Sequence, residues 1–220
     1  NPTSRKTMPT FKTPSPMMRM ACGEKEPSVN QSPEITSITI SPEDPNTQTE
    51  LQCIATARDA DNDSIDLTHR WEHIDGTEIG EDRSLLLTPS IVQPTDEILC
   101  IVEASDGTTS IQSSTSVVVV NSNPEIHSVD LDSDVAYVDS TLQCMFEAVD
   151  ADLEELTSSA QWTVNGELLG TGTEISLDPT MISKSDEMRC EVTVEDEYGG
   201  VATAETSIVI QNTQPIVESV

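Results

Sequence analysis

The sequence predicts an all-β chain: tandem β-sandwiches of about seven strands each, preceded by a disordered N-terminal segment. Three observations lead there. The chain repeats itself every 91 residues, so that Cys53 recurs as Cys144 and Trp71 as Trp162, with Cys100 recurring as Cys190 after 90. Apolar and polar residues alternate with the period of two expected of strands with one buried face, and no helical period appears. Each repeat places one Trp between two Cys, the order expected where an inter-sheet bridge packs on an indole. Whole words recur with these anchors: Leu51-Gln52-Cys53 as Leu142-Gln143-Cys144, Asp59-Ala60-Asp61 as Asp150-Ala151-Asp152, and Asp96-Glu97 as Asp186-Glu187. A period this long indicates beads on a string rather than a solenoid.

Pro33, Pro124 and Pro215 stand at equal steps and divide the chain into a tether (1–32), a first repeat (33–123), a second repeat (124–214) and the beginning of a third (215–220). The tether is rich in Pro, Thr, Ser and Lys without periodicity, hence the expectation of disorder. It starts at Asn1, as expected of a fragment or a processed product. In the first repeat Ile35–Ile40 alternates until Pro42-Glu43-Asp44-Pro45 breaks it, and Leu51, Cys53, Ala55 and Ala57 share a face of the next strand. A strand centred on Trp71 ends at Asp75-Gly76. Short runs follow at Ser84–Leu87 and Glu97–Glu103, then the turn Ser105-Asp106-Gly107 and a long strand from Ile111 to Val120. The second repeat matches with strands at Ile126–Leu131, Thr141–Val149, Ala160–Val164, Ile175–Leu177, Met188–Val194 and Ala202–Ile210.

Repeats of about 90 residues have thin cores, and only 3% of the chain is aromatic. Two Cys at matched positions in each repeat read as the intradomain bridges Cys53–Cys100 and Cys144–Cys190, which implies an oxidising compartment. No Cys-x-x-Cys occurs, and His69, His73 and His127 do not recur between repeats, which argues against zinc. Net charge is −30. Residues 1–29 hold five of the ten basic residues, leaving 38 acidic against 5 basic in the remainder. Such a surface repels nucleic-acid phosphates and anionic lipid headgroups.

The words Ala57-Arg58-Asp59-Ala60-Asp61-Asn62-Asp63, Ala148-Val149-Asp150-Ala151-Asp152, Gln161-Trp162-Thr163-Val164-Asn165-Gly166, Ala104-Ser105-Asp106-Gly107 and the closing Val117–Asn123-Pro124 carry a resemblance. Residues 33–220 resemble the tandem Ig-like/PKD-like repeats of bacterial cell-surface and secreted proteins. The chain differs from antibody-type domains in its Cys–Cys spacing of 46–47 and in having Ile98 and Met188, not Tyr, two residues before the second Cys. The resemblance implies a sandwich and a surface role, with no catalysis. Separately, Met20-Ala21-Cys22-Gly23 resembles a bacterial lipoprotein cleavage site, making Cys22 a candidate lipid anchor and the sole route to a membrane. Arg19 stands where that pattern has Leu, and no apolar h-region precedes it.

The acidic loop after the first Cys strand is the strongest candidate for chemistry. Asp59, Asp61 and Asp63, with Asp106 from the later turn, offer the hard oxygen ligands that calcium takes. The second set is Asp150, Asp152 and Asp196, flanked by Glu195 and Glu197 and close to Asn121 and Asn123 of the linker. That placement puts carboxylates at a junction between repeats, as in cadherin-like arrays that calcium stiffens. Leu153-Glu154-Glu155 replaces Asn62-Asp63-Ser64 and weakens the pattern there, and neither loop is an EF-hand. The competing reading is a solvated turn, since Asp favours turns.

Trp71 and Trp162 recur between Cys strands, which fits core plugs better than a carbohydrate platform. His69 and His73 are replaced by Ala160 and Val164 and read as tolerated boundary residues. Asn30-Gln31-Ser32 and Asn62-Asp63-Ser64 are glycosylation sequons, meaningful only in a eukaryotic secretory host. No nucleophile elbow, phosphate-binding Gly loop or His-Glu-x-x-His occurs. The expected function is therefore a non-enzymatic extracellular or cell-surface array, a spacer, stalk or adhesin segment meeting a surface protein or glycan. The alternative is a set of accessory modules of a larger secreted enzyme.

Overall fold

The computed structural model describes residues 29–213. Residues 1–28 of the expected tether, Cys22 among them, and the start of a third repeat lie outside the described residues. Seven strands build the first sandwich: β1 (Glu34–Ser41), β2 (Glu50–Arg58), β3 (Asp66–His73), β4 (Glu78–Gly80), β5 (Ser84–Leu86), β6 (Glu97–Ser105) and β7 (Ser110–Val118). They form two antiparallel sheets, β1-β2-β5 and β4-β3-β6-β7. The second sandwich repeats the plan with β8 (Glu125–Leu131), β9 (Ala136–Tyr137), β10 (Thr141–Val149), β11 (Thr157–Val164), β12 (Glu167–Thr171), β13 (Glu174–Ser176), β14 (Glu187–Glu195) and β15 (Val201–Gln211). Its sheets are β8-β10-β13 and β12-β11-β14-β15-β9. The all-β, Ig-like expectation holds.

The alternation read from the sequence becomes the core. On β6 every second residue from Ile98 through Cys100 and Val102 to Ala104 is fully buried, and on β14 the same holds for Met188, Cys190, Val192 and Val194. Each core centres on one unit. Trp71 stands directly opposite Cys100 across the β3–β6 pair, and Cys100 is bridged to Cys53 on β2 in the facing sheet. Trp162, Cys190 and Cys144 repeat this arrangement. Both indoles are fully buried, and each donates its Nε1–H to a backbone carbonyl ten or eleven residues on: Asp82 at 2.8 Å and Gly172 at 2.9 Å. A buried Trp needs such a partner, so the core-plug reading holds over a sugar platform. At the boundary, the His73 ring donates Nε2–H to the Ile91 carbonyl, 2.9 Å away.

Three short strands were not expected from the sequence. The edge strands β4 and β12 pair with the Trp strands, and β9 is the lone parallel pairing among the described strands, against β15. All three are too short to show a period. The Pro42–Pro45 break gives the first sandwich the counterpart of β9: after it, the Pro45 carbonyl accepts from Val120 N–H at 2.7 Å, so the chain crosses from the β1-β2-β5 sheet to the facing one. Proline at both ends of the crossing removes the donors that would keep β1 in its first sheet.

The bridge carries much of the stability of so small a sandwich. Replacing Cys53 and Cys100 together by Ala frees a 47-residue separation in the unfolded chain and is expected to cost about 4 kcal/mol. Urea unfolding of the oxidised wild type and the double variant measures the difference.

Candidate metal centre

Strand β10 ends at Val149, and the chain then turns through Asp150-Ala151-Asp152-Leu153-Glu154. The turn is made by side chain on backbone: Asp150 Oδ1 accepts from Asp152 N–H at 2.7 Å, an Asx turn. Leu153 is held at φ +62, a left-handed conformation unusual for Leu, and Asn62 has the same φ in the first sandwich. This geometry turns Asp152 onto the linker and the preceding sandwich. Its Oδ2 accepts from Ser122 N–H at 2.6 Å, while its Oδ1 accepts from the Thr47 hydroxyl, on the loop before β2. The adjacent Gln48 side-chain amide donates to the Ala151 carbonyl at 2.8 Å.

The turn after β14 approaches the same linker. Asp196 Oδ1 accepts from Tyr198 and Gly200 N–H, each at 2.8 Å, and its Oδ2 accepts from Asn121 Nδ2 at 2.9 Å. Gly200 leaves the room for this. A Cβ there would lie 2.2 Å from Asp196 Oδ2 and 2.8 Å from Asn123 Oδ1.

Among the described residues, the side chains that are buried whole and carry polar or charged groups are Thr47, Asp150, Asp152 and Asp196, all at this junction. No Lys, Arg or His pairs with these carboxylates in the ion pairs of the described residues. Their protonation reflects that. Burial, then the charges of Asp152 and Asp196, pushes Asp150 above the ordinary carboxyl range. Glu154 is pushed up to about 7, first by burial and then by Asp150, Asp196, Asp152 and Glu197. Asp196 goes the other way: burial opposes its ionisation, but the bonds from Asn121 and from the Gly200, Tyr198 and Gly199 amides outweigh it. One oxygen each of Asp150, Asp152 and Glu154 lies within 4.8 Å of the others. Asp150 Oδ2, both Glu154 carboxylate oxygens and Asn121 Oδ1 are buried without a hydrogen-bond partner.

The first sandwich holds the matching set. Asp59, Asp61 and Asp63 bring oxygens within 4.8 Å of one another. Asp59 Oδ1 accepts from Asp61 N–H at 2.7 Å and Asp63 N–H at 3.1 Å. Asp61 Oδ2 accepts from Gln31 N–H at 2.7 Å, as Asp152 does from Ser122. This trio is more exposed than its counterpart. Asp106 does not belong to it; its carboxylate caps its own turn, accepting from the Thr108 and Thr109 amides, each at 2.7 Å.

Sequence reasoning therefore brought Asp150, Asp152 and Asp196 to one place but undervalued Glu154. Glu154 stands 91 residues after Asp63 and supplies a carboxylate from Asp63's position on a longer arm, so the pattern is kept rather than weakened. Glu195 and Glu197 are exposed and outside the oxygen trio. Thr47 and Gln48 had no signal in the sequence, since nothing local to Pro45-Asn46-Thr47-Gln48 points to a loop 103–105 positions on.

No protein-family model matches the chain, and no curated protein matches it. Among solved structures, the fibronectin(III)-like modules of Clostridium thermocellum CbhA are 17% identical, over 83% of this chain and 100% of theirs, with a TM-score of 0.32. Sidekick-1 immunoglobulin domains 1–4 are 18% identical over 82% of this chain, which spans 49% of that one, with a TM-score of 0.39. The amphioxus IgVJ-C2 molecule is 16% identical over 76% of this chain and 98% of its own, also with a TM-score of 0.39.

Gly200→Ala fills the space that lets Asn121 reach Asp196. It is expected to break that charged hydrogen bond at a cost of about 1.5–3 kcal/mol, read as a lowered midpoint in chemical denaturation.

Proposed function

We propose that this chain is a non-enzymatic, exported array in which residues 33–123 and 124–214 are successive repeats. It serves as a spacer, stalk or adhesin segment of the kind found on bacterial surface and secreted proteins, and it presents its contacts to a surface protein or glycan. In this reading Cys22 is the attachment point to lipid. Two inter-sheet disulfides support an oxidising, extracellular setting. The excess of carboxylates keeps such a segment soluble and apart from its neighbours.

One observation carries the array reading: each repeat grips the linker that leads into it, and does so in the same way. Asp61 holds Gln31 N–H, and 91 residues later Asp152 holds Ser122 N–H. At the second grip the preceding sandwich is held as well, through Thr47 and Gln48. A binding or catalytic domain has no need to repeat its attachment. An array does, because a repeated grip gives every junction a defined geometry rather than a free hinge.

Small-angle scattering of the 220-residue chain in calcium-free buffer tests this. The expected profile is that of one defined arrangement of two sandwiches. Thr47→Val with Gln48→Ala removes the donors from the first sandwich, one of them to a carboxylate, weakening the junction by about 1–3 kcal/mol, and should broaden the distance distribution. Two freely pivoting bodies in the wild type would refute the reading.

A further inference from the structure

We propose that Asp150, Asp152 and Glu154 hold one divalent cation of the calcium class at the junction between the two sandwiches. A cluster of acidic side chains would not establish this, since such clusters serve as solvated turns across the protein surface. The junction leaves more unpaired than the first trio does: Asp150 Oδ2 and both Glu154 oxygens are buried without a partner, against Asp59 Oδ2 alone in the other set. Asp150 is only 6% exposed, and its Oδ2 accepts no hydrogen bond. Its other oxygen is committed to Asp152 N–H, and its carboxylate lies with those of Asp152 and Glu154 inside a 4.8 Å circle of oxygens. Both Glu154 oxygens are likewise buried without a donor, and so, on the linker, is the neutral Asn121 Oδ1. Its own amide nitrogen is spent on Asp196.

Leaving buried carboxylate oxygens unpaired is costly, and no basic side chain among the described ion pairs relieves it. A cation in their midst supplies the missing partner for several of them at once. Its class follows from the donors. All are carboxylate oxygens, the hard ligands that calcium gathers in sets of six to eight, and neither His nor Cys stands in the oxygen trio to favour zinc. Three carboxylates leave the remaining positions to water or neutral oxygens.

This deepens the array reading and rests on it for its consequence alone. Asp152 already ties Thr47 and Ser122, so an ion on its carboxylate would fix both sandwiches through one residue.

The test is calcium titration of the 220-residue chain by calorimetry, in about 0.15 M salt to screen diffuse attraction to its acidic surface, with thermal melting in calcium and in chelator. The expected result is saturable binding at the junction and a higher melting temperature with calcium. Glu154→Gln and Asp150→Asn should each weaken that binding at least tenfold, whereas Asp63→Asn, in the other trio, should leave it in place. Glu154→Gln is the more conservative change and decides the matter if Asp150→Asn does not fold. Absence of binding or of a melting shift in the wild type would overturn the site, as would binding unaltered by Glu154→Gln. A fixed arrangement in chelator with no calcium response would sink the site and keep the array; calcium binding by freely pivoting sandwiches would do the reverse.

Discussion

A sandwich of about 90 residues closes around very little apolar volume, and in both copies that volume is organised by one Trp placed between two bridged Cys. The bridge ties β2 to β6 and β10 to β14, one strand from each sheet, so it sets the spacing between the sheets. The indole sits across the strand pair from one of the bridged sulfurs and closes its only polar group onto a backbone carbonyl. With that unit fixed, the alternating residues on β6 and β14 have one face available for burial, and the turns are left at the poles with their polar side chains.

Those polar side chains do the connecting. Aspartate appears at the poles because it shapes turns, and at the β10–β11 turn the same property aims further carboxylates outward. Asp150 closes the turn, Asp152 then meets the linker, and Asp196 meets it from the β14–β15 side. Burying acids costs stability unless donors surround them. Asp196 has such donors and is held in its charged form, while Asp150 and Glu154 lack them and resist ionisation. Within a few residues the junction thus contains both a satisfied and an unsatisfied carboxylate environment.

The long strands, the bridges and the role of the Trp residues were legible because they depend on period and recurrence, which a sequence displays directly. Strands β4, β9 and β12 were not, since two to five residues are too few to carry a period and pair only because a longer neighbour is already in place. At the junction, Asp150 and Asp152 were readable as a repeated word. Glu154 could have been found by aligning it with Asp63 at the 91-residue offset. Thr47 was beyond reach: its partner Asp152 lies 105 positions away on the second sandwich, and its own sequence neighbourhood reads as an ordinary polar turn.

The bridges also limit how far the chain can be drawn out. A molecule tethered at one end and pulled at the other carries tension along its backbone, but the 47 positions from Cys53 to Cys100 lie behind a covalent short circuit. Were the first repeat to lose its fold under load, only about half of its 91 residues could pay out, roughly 150 Å of contour at about 3.4 Å per residue. The Trp-centred segment inside the loop would stay slack and close at hand for refolding. Such a strand yields by a short, fixed increment and then holds.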